Sequence, residues 1–156
     1  MITSGFVHDD GGRRTWVLAG EAVPIRLMST IWADGDGVHD DLVAPGDLDA
    51  WIDAVGLRRA DSLSTPADLE RARALRDAVR RLAAEVTEDD RVTARSTTSD
   101  LATALEDLNE AVAHLAVPQL VVIDGDLRQS STSDGSPIST ALANVARESI
   151  EVLAGH

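Results

Sequence analysis

Residues 29–57 read STIWADGDGVHDDLVAPGDLDAWIDAVGL, an apolar segment that breaks into an acidic, glycine-bearing loop and re-forms as a helix. Pro45 suits the first helical position, where no amide hydrogen is needed. Leu48, Trp51, Ile52 and Val55 recur at three- and four-residue steps as a buried stripe, and Gly56-Leu57 reads as a left-handed C-terminal cap with its hydrophobic contact. Two of the three tryptophans (Trp32, Trp51), one of the four histidines (His39) and the aspartates Asp34, Asp36, Asp40 and Asp41 fall within this stretch. Loops held on a scaffold are where binding groups concentrate. A calcium loop is excluded: the EF-hand pattern needs glycine at its sixth position and glutamate at its twelfth, and counting from Asp34 these are His39 and Pro45. The glycines instead permit a turn whose backbone donors the aspartates cap, and His39 has Asp40 and Asp41 beside it in sequence.

Upstream, Pro24, Ile25, Leu27, Met28 and Ile31 predict a short buried helix that takes Ser29 and Thr30 partly inside it, where their hydroxyls either line a pocket or bond to the preceding turn. Phe6-Val7 and Trp16 to Leu18 predict two arms of a hairpin around a turn-rich segment containing His8. Downstream, Thr65-Pro66-Ala67-Asp68 is a helix start, followed by a seam of Leu69, Ala72, Leu75, Val79, Leu82 and Val86 over about five turns. Arg73, Arg76 and Arg80 run beside that seam, either as a clamp for an anion or as a solvated face balanced by neighbouring acids. A further helix begins near Ser99 with Leu101, Leu105, Leu108, Val112 and Leu115 as its stripe and Asn109 beside it. Gln119 to Ile123, Asp124-Gly125 and Asp126 to Ser130 give a strong hairpin signal. Ser136 and Pro137 open a last helix with Ile138, Leu142, Val145 and Val152 facing inward. The expected fold is a mainly helical α+β single domain over residues 1–156, with about five helices and one or two small antiparallel hairpins, and no βαβ alternation.

Leu27-Met28-Ser29-Thr30, the loop Trp32 to Asp40, Leu48-Asp49-Ala50-Trp51, Leu75 to Arg80 and Leu108-Asn109 resemble the ABATE domain, the N-terminal half of the bacterial CGNR zinc-finger family of stress-response transcription regulators. Ser29-Thr30 stands where that family usually carries Asn-Thr, and the chain has no cysteine with which to build the family's finger. The resemblance implies a regulatory, small-molecule-sensing domain without its DNA-binding zinc finger, with Met28, Ser29, Thr30, Trp32, His39, Arg76, Arg80 and Asn109 as ligand-binding residues. It names no cofactor. Among these, Trp32 and His39 are expected to wall a pocket, and Arg76 and Arg80 to meet Asn109 or the Ser29 and Thr30 hydroxyls.

Composition sets the outer limits. With 156 residues, 44% hydrophobic and 26% charged, the chain can fold around a sizeable core. Its net charge of -13 opposes binding to nucleic acid, and all 14 basic residues are arginine. The absence of cysteine excludes disulfides and thiolate metal sites. No apolar run is long enough to span a membrane and no leader is evident, so a soluble, cytoplasmic protein is expected. No catalytic motif stands out. The alternatives to a sensing domain are a stand-alone small-molecule enzyme or binder, with His39 and neighbouring carboxylates as acid-base groups, and a homodimer formed through an exposed part of a helix seam.

Overall fold

The computed structural model describes residues 6–8, 14–16, 20–91, 100–132 and 135–155. Among these, five helices and three two-stranded antiparallel hairpins follow one another: β1 (Phe6–His8), β2 (Arg14–Trp16), α1 (Val23–Met28), β3 (Ile31–Asp34), β4 (Gly37–Asp40), α2 (Pro45–Ala54), α3 (Pro66–Val86), α4 (Leu101–Val112), β5 (Val117–Ile123), β6 (Asp126–Thr132) and α5 (Pro137–Ala154). The α+β class and the five helices agree with the sequence reading; Leu18 and Ser99 lie outside the described residues.

α3 is the organising element, since α1, α2, α4 and α5 all pack against it. Thr65 and Asp68 fix its start reciprocally: the Thr65 Oγ1 accepts the Asp68 amide at 3.2 Å, and the Asp68 carboxylate accepts the Thr65 amide at 2.9 Å. At α2 the Asp47 carboxylate takes the amides of Val43 and Ala44 at 3.0 and 2.8 Å. α2 ends in a Schellman motif, with Leu57 N–H bonded to Ile52 O, Gly56 N–H bonded to Asp53 O, and Gly56 at φ +79°. Both local signals in the sequence therefore give the expected boundaries.

The core joins Leu27, Leu48, Trp51, Ile52, Leu69, Leu75, Val79, Ile138, Leu142 and Val145. Trp51 is 1% exposed, so its replacement by alanine removes a ring from packed interior and costs about 3 to 5 kcal/mol.

Three local expectations are corrected. The first helix stops at Met28, and Ile31, which fits its spacing, instead opens β3. The β-branched pair Thr30-Ile31 followed by Trp32 favours extended backbone. The turn at Gly35-Asp36 returns the chain as β4, with Gly37 at φ +126° and the Asp34 side chain accepting the Asp36 amide at 2.8 Å. On α4, Leu105 is 46% exposed and Ala104 takes the buried position beside Leu108, because the close approach of α3 leaves room for a methyl group there. Val152 is likewise partly exposed, and Ser149 occupies the buried site one turn earlier with its hydroxyl donating to Val145 O at 2.8 Å.

Candidate functional site

The α1–β3 junction, the β3–β4 hairpin and the middle of α3 converge on Arg76. Its side chain is only 3% exposed. Nη1 and Nη2 form a forked pair with the Asp40 carboxylate at 2.7 and 3.0 Å, Nη1 also reaches Thr30 Oγ1 at 3.3 Å, and Nε donates to Asp77 at 3.1 Å. A planar guanidinium suits this arrangement because its fixed donors match both carboxylate oxygens at once. Thr30, fully buried, passes its own hydroxyl hydrogen to Leu27 O at 2.7 Å. Arg73 adds a bond to Leu42 O at 2.9 Å. The chain leaving α1 is thus strapped to α3, and most of the Arg76 donors are occupied by the protein.

Burial raises the Asp77 carboxyl above its ordinary range and outweighs the attraction of Arg76. Geometrically Asp77 is a salt-bridge partner; energetically its desolvation is the larger effect.

The sequence pairs His39 with Asp40 or Asp41, but the hairpin register separates them. His39 Nε2 lies 2.9 Å from Oδ1 of Asp34, its diagonal neighbour across the hairpin, and this bond together with the Asp36 amide holds the Asp34 carboxyl below its ordinary value. The His39 ring stacks on Trp32, its cross-strand partner, with centroids 4.2 Å apart and planes 20° from parallel. Trp32 Nε1 donates to Asp41 at 2.9 Å. One face of Trp32 is therefore covered by His39, and its single donor is spent within the protein.

Arg80 differs from Arg76. It donates Nη1 to Met28 O at 3.2 Å, yet its buried Nε has no partner among the described residues. Burial, and then the neighbouring Arg76 charge, lowers its pKa from the usual arginine value. Met28 itself lines an open apolar groove of about 160 Å³ between α1, α3 and α5, together with Ile25, Val79, Ala83, Val152 and Leu153. Ser29 does not reach this groove; its hydroxyl caps α1 through Ile25 O at 2.9 Å. Asn109 is exposed on α4 and bonds to neither arginine.

The structure thus brings together Thr30 and Arg76, joins Met28 to Arg80, joins Trp32 to His39, and leaves Asn109 apart. Sequence reasoning missed Asp40 as the counter-ion of Arg76, and missed Ala83 and Val152 as groove residues. Their only signal was a place on or beside an apolar stripe. Among the described residues no group of three His, Cys, Asp or Glu side chains is arranged to hold a metal ion, and no helix is long and apolar enough to cross a membrane.

Residues 21–156 match the ABATE family, described as "Putative stress-induced transcription regulator". No curated protein and no solved structure matches the chain.

Proposed function

The chain belongs to the ABATE family, and from that premise we propose that it is the small-molecule-sensing, regulatory domain of a transcription regulator, with the groove between α1, α3 and α5 as its ligand site. The carrying observation is that groove, whose wall residue Met28 accepts a hydrogen bond from Arg80 through its backbone carbonyl. The volume of about 160 Å³ is close to that of an apolar cavity of about 150 Å³ able to hold benzene. Behind the Met28 wall, outside the groove lining, stands a partly buried cation whose Nε lacks a partner among the described residues and whose strongest charged neighbour is another cation. A ligand of one small ring or short aliphatic chain carrying a carboxylate answers both features: the apolar part fills the groove and the anion offsets the Arg80 charge. An acidic chain gives such a carboxylate few other places to settle. It also repels duplex DNA, so contact with DNA is assigned to other parts of such a regulator.

Occupancy has a route to the rest of the fold. Filling the groove braces α1 against α5, and α1 runs directly through Ser29 and Thr30 into the hairpin that Arg76 clamps. Met28, Thr30, Arg76 and Arg80 act here as wall, relay, clamp and anion partner; Trp32 and His39 shape the hairpin this route reaches.

The test uses benzoate and hexanoate, with benzyl alcohol and hexanol as uncharged counterparts, in thermal-shift titrations. Saturable stabilisation by the acids but not the alcohols is expected. Ala83→Phe, which fills the groove, should abolish it, and Arg80→Gln should weaken it at least tenfold. Equal responses in the wild-type protein and Ala83→Phe, combined with native mass spectrometry showing no small molecule retained from the host, would rule out this site.

A further inference from the structure

α3, α4 and the first turn of α5 enclose a second cavity, of about 70 Å³. Its inner residues are apolar, with Leu75 and Leu142 both buried. Its charges come from two different helices: Arg71 from α3, Asp107 and Glu110 from α4. His114 and Ser139 also line it, held near each other by the chain entering α5. A Cβ on Gly135 would stand 2.9 Å from Ser139 Cβ and 3.3 Å from His114 Nδ1, so this approach requires glycine. Opposite charges line the cavity without meeting. Arg71 Nη1 donates to Asp68 at 3.2 Å, one turn earlier on its own helix, and its other donors have no partner among the described residues. Among the same residues neither the Asp107 nor the Glu110 carboxylate has an ion-pair or hydrogen-bond partner. Burial, and then the charges of Glu110, Glu106 and Asp77, raise the Asp107 carboxyl above its ordinary value. The α4 wall thus holds unanswered negative charge, and the α3 wall a guanidinium with donors to spare.

We propose that this cavity is a second binding site, for a small zwitterion of the α-amino acid class, whose ammonium group is held by Asp107 and Glu110 and whose carboxylate takes the spare donors of Arg71. Charge selects this class. A plain anion would meet two carboxylates on a chain of net charge -13, and a plain cation would meet the guanidinium and leave it unused. A zwitterion answers both walls at once with charge-assisted bonds, and a planar carboxylate suits a guanidinium. Size narrows the choice. A volume of about 70 Å³ takes about five or six water-sized groups, enough for glycine or alanine and too little for a long or aromatic side chain. The apolar inner residues leave the charged ends of such a ligand towards the rim, where Arg71 and Glu110 are exposed. The site is distinct from the apolar groove, with which it shares no lining residue. Ala83 of the groove stands eight residues beyond Leu75 on α3, about 12 Å along the helix axis.

Isothermal titration calorimetry of the full chain with glycine and with alanine should give saturable one-to-one binding in the millimolar range. Ethylamine, which offers only the cation, and propionate, which offers only the anion, should each bind about tenfold more weakly or worse, since each forgoes the charge-assisted bonds at one wall. Glu110→Gln and Arg71→Gln change exposed side chains and leave the core intact, and each should weaken glycine by a similar factor. Arg128→Gln removes the same charge from the β5–β6 ribbon, outside the cavity lining, and should leave glycine binding unchanged. A wild-type chain that gives no saturable heat with either amino acid overturns the proposal. Ethylamine binding as tightly as glycine, or Arg71→Gln and Arg128→Gln behaving alike, overturns it too, because the acidic surface would then be attracting any cation. Neither result bears on the groove, which is probed with benzoate and hexanoate.

Discussion

At the scale of single residues, Arg76 and Arg80 are four positions apart on one helix and face opposite circumstances. Arg76 has its forked carboxylate, whereas Arg80 has, among the described residues, one carbonyl and no partner for its Nε. Asp40→Ala would strand the Arg76 charge in the interior, and because Asp40 itself is 31% exposed the expected loss is about 2 to 3 kcal/mol in chemical denaturation. Arg80→Met should be neutral or slightly stabilising in the same assay, since it keeps the stem and removes a poorly satisfied charge. Asp77 supplies a pH signature. Its carboxyl is easier to protonate in the folded chain than in the unfolded one, so its contribution to stability is fully present below the ordinary aspartate value of 3.8 and is lost as pH rises through the elevated folded value. Asp77→Asn keeps an oxygen to accept the Arg76 Nε hydrogen. It should therefore be more stable than the wild type at neutral pH, with the gap closing as the solution is acidified towards pH 4; a gap constant with pH would contradict the sign. Arg76 and Thr30 were named through the family resemblance; Asp40, 36 positions from Arg76, was not, because no local pattern ties it to that helix.

At the scale of elements, what was legible depended on whether the deciding chemistry is local. The caps of α2 and α3 lie within a few residues of the ends they fix, and the Asp124-Gly125 turn, with φ of +52° and +85°, closes β5–β6 as its dipeptide suggests. The β3–β4 hairpin hid itself for a different reason. Its burial runs from half-buried at the base to exposed at the tip rather than alternating along each strand, so the period-two signal was missing. Ile31 then fitted the helical spacing of α1 equally well. Leu105 and Ala104 on α4 show the same limit from the helix side: stripe position is periodic, but how near the neighbouring helix comes decides whether leucine or alanine is buried. The groove was illegible because it is made by three helices far apart in sequence, each contributing the edge of its stripe rather than the centre.

At the scale of the whole molecule, the fold is radial. α3 touches every other helix, while the β5–β6 ribbon makes its main contacts within itself. The groove, the Arg76 strap and the core all use α3, so ligand occupancy and stability share one element. This arrangement also sets a hierarchy in time. The amides in the middle of α3, around Ala72 to Leu82, cannot meet solvent while any neighbouring helix remains docked, and their deuterium uptake should track global unfolding. The ribbon can detach without disturbing them, and its amides should exchange orders of magnitude sooner. A protease given native protein should accordingly cut first at the ribbon and leave α3 to the last.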